Sequence, residues 1–139
     1  MPTLRIELPD GDLAPLLEHL EGARFVNLTP GVDEDAVPPR SALGQLFGAT
    51  GPTVPLATWT PGEIGIQHAA GTRVARTLAE RGVPVPEDWY VASDHPKRGL
   101  VVRTYQAPPA EALAWLVRAA TVLCPLPITR AWVAGVRSG

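Results

Sequence analysis

Sixteen prolines divide this 139-residue chain, and they fall mostly between its periodic segments. Proline has no backbone N–H and fixes φ, so it punctuates an ordered chain at the borders of its elements. The segments between are short and patterned. "TLRIELP" alternates Leu4, Ile6 and Leu8 with Arg5 and Glu7, which reads as a strand with one buried face. In "DGDLAPLLEHLEG", Leu13, Leu16, Leu17 and Leu20 recur at helical spacing, with Asp12 placed to cap and Gly22 to stop. "ARFVNLT" reads as a second strand. "WYVAS" and "GLVVRTY" form a hairpin across "DHPKR", "PPAEALAWLVRAATVLCP" is a helix between prolines, and "ITRAWVAGV" is a closing strand.

"TPGE" at 60–63 has the form of a capping box, and Pro61 suits a first helical position. This predicts a helix over 61–81 that ends at Gly82. On it Ile64, Gly71, Ala75 and Leu78 share one face, His68 falls within that stripe and Gln67 lies at its edge. Two polar side chains are then turned toward a sheet. A buried imidazole or amide loses roughly 1–3 kcal/mol per unmet group, so the pair calls for partners, water or a ligand. Residues 30–58 read as an irregular, loop-rich segment. Within it "SALGQLFGA" suggests a short helix and "GPTVPLATW" an edge strand, because Pro55 cannot donate to a ladder.

The resulting order, β-α-β-(irregular)-α-β-β-α-β, implies an α+β fold. The expected architecture is a mixed, largely antiparallel sheet of about five strands, with two to three helices packed mainly on one face. The length fits one domain spanning residues 1–139.

Gln67, His68 and Gly71, with Asp94, His95 and Arg98 of "SDHPKRG", make a candidate pocket for a small anionic ligand. An Asp beside a His is an orienting pair for general base work, and Lys97 and Arg98 suit phosphate or carboxylate. Turn chemistry alone accounts for the same stretch, with Asp94 opening, Pro96 fixing φ and Gly99 closing. Nothing in the spacing forces His68 and His95 to share a metal, so no metal or other cofactor is expected, and no catalytic residue is assigned. Cys124 sits on an apolar helical stripe and reads as an inert thiol.

Trp115 lies away from Leu113 and Val117 on its helix, with Val122 in the same row and Arg118 nearby. Trp132 alternates along the last strand. These four residues are a candidate interface for a homodimer, set through a helix or a sheet face, against the plainer reading of a solvated sheet face.

Net charge is −2 but uneven: residues 1–35 carry two Arg against eight Asp/Glu, and residues 97–139 carry six Lys/Arg against one Glu. The sign disfavours nucleic acid, and the split suits self-association. No apolar run reaches the length of a membrane span, and a single cysteine is compatible with the cytoplasm. No P-loop, GxGxxG, HExxH or GxSxG signature is present. The expectation is a non-enzymatic binding or assembly module that forms a small homo-oligomer. The alternative is a small enzyme or small-molecule binder built around His68 and the 93–99 turn.

Overall fold

At residue 60 the chain turns instead of entering a helix. Thr60 and Glu63 are cross-strand partners, and Pro61 and Gly62 make the loop between them. Gly62 has φ +86°. Proline in second place and a left-handed glycine in third are what a type II turn uses. The residues that resemble a capping box are therefore a hairpin turn, and "EIGIQ" beyond it is a strand. The misreading has a simple cause: Ile64 and His68 stand four apart, a spacing that fits one face of a helix and one face of a strand equally.

The structure is a computed structural model and describes residues 4–32, 54–68, 70–95, 99–124 and 128–138. Its strands are β1 (Leu4–Leu8), β2 (Ala23–Val32), β3 (Leu56–Thr60), β4 (Glu63–Gln67), β5 (Tyr90–His95), β6 (Gly99–Arg103) and β7 (Ile128–Ser138). The helices among the described residues are α1 (Ala14–Leu17), α2 (Val74–Glu80) and α3 (Pro109–Leu123). The strands form one sheet in the order β1-β7-β2-β3-β4-β6-β5, antiparallel at every neighbouring pair. The fold is α+β as expected. The sheet is larger than about five strands, and among the described residues it is antiparallel throughout, not mixed.

Three boundaries move. The first helix is a single turn, Ala14–Leu17, opened by the Asp12 carboxylate accepting from the N–H of Ala14 at 3.0 Å. β2 runs on through Pro30, which it tolerates because β3 pairs with β2 only over Val26–Leu28, so the proline faces no second ladder. β3 is central, not an edge, because Pro55 precedes it and no ladder bond is asked of that residue. The irregular segment thus holds strand at both of its ends; the expected short helix at 41–49 lies outside the described residues, as do residues 96–98 of the expected 93–99 turn, whose residues 93–95 belong to β5 and residue 99 to β6.

One face of the sheet carries the core. Leu8, Trp132, Ala134, Val26, Leu28, Ala57, Trp59, Ile64, Ile66 and Val102 are all buried and are joined by the strand registers into one apolar surface. α3 packs on β3 and β4. It also carries the chain from β6 back across the sheet to β7, which inserts between β1 and β2. That connection crosses four strand spacings, about 19 Å. Among the described residues no helix is long and apolar enough to cross a membrane.

The outer side of α3 is not bare. The connector 82–89 lies against it: Val83 and Trp89 are buried, and Trp89 meets Trp115 edge to face at 5.6 Å and 78°. The Trp115 indole N–H donates to the Pro84 carbonyl at 2.9 Å, and the Arg118 guanidinium reaches the Gly82 carbonyl at 3.4 Å. The expectation that Trp115 stands on a face the core does not claim is overturned, because the chain covers that face with its own connector.

Candidate functional site

His68 follows β4 in strand phase. Ile64, Ile66 and His68 alternate onto the helix-covered side, and the His68 side chain is 1% exposed. Its Nδ1 accepts from the Ala70 N–H at 3.0 Å. A neutral ring that accepts at Nδ1 carries its proton on Nε2. That Nε2 is buried and has no hydrogen-bond partner. Burial lowers the His68 pKa below the ordinary histidine value, and the Asp94 carboxylate pulls the other way more weakly.

Asp94 arrives from β5. Its two carboxylate oxygens accept from the N–H groups of Val74 and Ala75, at 3.0 and 3.1 Å. α2 has no cap of its own, because Arg73 before it is held at φ +56° and supplies no side-chain bond. Asp94 therefore caps the helix from another element, 19 and 20 residues downstream. This carboxylate anchors α2, and it makes no hydrogen bond to the His68 imidazole. The fold brings His68 and Asp94 together as electrostatic neighbours.

The other pocket candidates lie elsewhere. Gln67 points to the opposite side of the sheet and is exposed. Gly71 is exposed at φ +90°, and a Cβ built there meets nothing within 4 Å. It serves the turn into α2 and makes no room beside His68. His95 is exposed at the end of β5, and Arg98 lies outside the described residues. Among the described residues no three His, Cys, Asp or Glu side chains are placed to share a metal. Of the interface candidates, Trp115 and Trp132 are buried, Val122 packs partly on the core and Arg118 is exposed over Gly82.

An imidazole that is neutral and sealed makes a pH prediction. The folded protein binds this proton less readily than the unfolded chain. The stability linked to His68 is therefore complete above the unfolded value of 6.5 and is lost as pH falls through 6.5 toward the lower folded value. Urea unfolding compared between about pH 7.5 and about pH 5.5 should show a larger loss for the wild type than for His68→Leu. Equal losses would mean that the ring does not titrate from a buried site.

Sequence reasoning passed over a second surface, the side of the sheet that no described helix covers. Phe25, Asn27, Thr29, Thr58, Val101 and Val133 are half-buried there. Two side chains lie across neighbouring glycines. The Asn27 amide oxygen accepts from the Gly135 N–H at 3.1 Å, and the Thr58 hydroxyl donates to the Gly65 carbonyl at 3.4 Å. A Cβ would come within 2.7 Å of Asn27 at Gly135 and within 2.9 Å of Thr58 at Gly65. The missing side chains let polar groups fold flat and satisfy themselves within the sheet. Charges sit at the margins: Arg5 and Glu7 on β1, the cross-strand pair Glu63 and Arg103, and Arg137, whose guanidinium lies 5.9 Å from the Phe25 ring centre. The alternation in "ARFVNLT" holds the signal for this face, because its outward set is Phe, Asn and Thr and carries no charge.

The chain matches no protein-family model, and comparisons with curated proteins and with solved structures find no match.

Proposed function

We propose that this protein is a non-enzymatic assembly module that works as a small homo-oligomer, with the sheet as its assembling element. The observation that carries the reading is the sheet face that no described helix covers, free of charge at its centre and charged at its rim. That is the anatomy of a protein interface, where charged residues are depleted from the core of the patch and kept at its edge. The absence of a hydrogen bond between Asp94 and His68 among the described residues supports the same reading. A single cysteine suits a cytoplasmic setting. Light scattering at about 100 µM should return the mass of at least two chains. A monomer mass at that concentration overturns the reading.

One observation favours a second function, the binding of a small anion such as phosphate or carboxylate near His68: the buried Nε2–H lacks an acceptor. In that case inorganic phosphate raises the thermal midpoint of the wild type and leaves His68→Leu unmoved. No differential shift removes this reading.

A further inference from the structure

β1 is an edge strand, and among the described residues its only ladder partner is β7. Exposed edges invite pairing with another chain, and proteins blunt them with bulges, prolines, charges or short strands. At the opposite edge, β5, the register with β6 slips between Val91 and Ser93. β1 has no such slip: its five residues run in unbroken register, and its two charges, Arg5 and Glu7, are opposite in sign, which selects a partner of complementary order.

We propose that a second copy of this chain docks on this edge, β1 against β1, antiparallel and centred on Ile6. The assembly reading underlies this inference, which adds to the sheet face a second contact at its edge. The argument rests on the order Leu-Arg-Ile-Glu-Leu. Cross-strand neighbours share a face of the sheet, so only registers that oppose like-facing residues are open. Centred on Arg5, the pairing sets Arg5 against the partner's Arg5. Centred on Glu7, it sets Glu7 against the partner's Glu7. Like charges directly opposite are destabilising. Centred on Ile6, Arg5 meets the partner's Glu7 and Glu7 meets the partner's Arg5, so both pairs attract. On the other side of the sheet Leu4 meets the partner's Leu8, and Ile6 meets the partner's Ile6. Leu4 is 46% exposed, the one aliphatic residue among the exposed large hydrophobics of the described residues, and the pairing covers it. Within one copy Arg5 and Glu7 approach to 3.8 Å with side chains 71% and 76% exposed, so both are accessible to a partner.

The two-fold axis of this pairing passes through Ile6 at right angles to the sheet. Both helix layers then lie on one side, and the two uncovered faces join into one continuous surface.

Charge reversal tests the contact, because a symmetric pair responds in a diagnostic way. Arg5→Glu and Glu7→Arg, each alone, should weaken self-association about tenfold or more, since each turns two attractive pairs into two repulsive ones. The double variant Arg5→Glu/Glu7→Arg should associate as the wild type does. An equimolar mixture of the two single variants should also recover association, as a mixed dimer resolved by native mass spectrometry. Wild-type oligomers that neither single variant weakens would overturn the β1 contact and leave assembly through the sheet face standing. A wild-type monomer at about 100 µM would overturn the contact and the assembly reading together.

Discussion

Trp115→Ala should destabilise the protein by about 3–5 kcal/mol, the scale for deleting a buried tryptophan. The native state of such a domain is worth only about 5–15 kcal/mol, so this one change removes a large share of it. The residue is 6% exposed, packs edge to face on Trp89 and donates to the Pro84 carbonyl. Its removal opens a cavity under the 82–89 connector and leaves a carbonyl without its donor. Trp115→Phe separates the contributions: it keeps most of the ring area and loses the indole N–H, and it should cost roughly 1–2 kcal/mol. Urea unfolding followed by far-ultraviolet circular dichroism measures both. A Trp115→Ala cost below about 1 kcal/mol would contradict the placement of the connector over α3.

Gly99→Ala is expected to be as damaging, for a different reason. Gly99 has φ +78°, and a Cβ there would run into the Ile66 carbonyl oxygen. That oxygen belongs to backbone within the β4–β6 ladder, so no side chain can swing away. Left-handed backbone costs an ordinary residue about 1–2 kcal/mol before any clash. With the clash, the loss should reach about 3 kcal/mol or more. Gly71→Ala is the control. Its φ of +90° carries the same kind of strain, but nothing lies within 4 Å of the new atom. A Gly99→Ala protein no less stable than Gly71→Ala would refute the close approach of β6 to β4.

The parts of this fold that were legible in the sequence are those where one pattern has one meaning. Helix α3 is long, periodic and bounded by prolines. The β5–β6 hairpin has apolar runs on both sides of a turn, and β1 and β7 alternate over enough residues to fix their phase. The end of α2 at Gly82 was legible as well, because a left-handed glycine past a helix has few other uses. Its beginning was not. The cap that starts α2 is Asp94, on a strand 19 and 20 residues away, and no local signal reports it. Thr60, Pro61 and Gly62 offered a local signal that was false, because Thr-Pro-Gly serves a hairpin turn as readily as a helix start.

The candidate site was legible in a narrower sense. His68 is buried as expected, but strand alternation puts it there. The same phase turns Gln67 away from it, so the two never line one pocket. Trp115 shows the converse failure. A helical wheel reports which side chains share a side of a helix but not what lies over that side, and "VPVPEDW" gave no periodicity that would have marked it as a cover.

The insertion of β7 between β1 and β2 bears on how the chain reaches this structure at all. β1 and β2 are separated by a single short helix and emerge close together in time, yet neither pairs with the other. Among the described residues β1 pairs only with β7, which is synthesised more than a hundred residues later, whereas β2 also has β3. At about 5–20 residues per second, that leaves β1 without its ladder for roughly 6–24 s during translation. Contacts so distant along the chain also place folding in the slow, millisecond-to-second range typical of nonlocal strand pairing. During that interval the five residues of β1, with their charges of opposite sign, have neither edge paired.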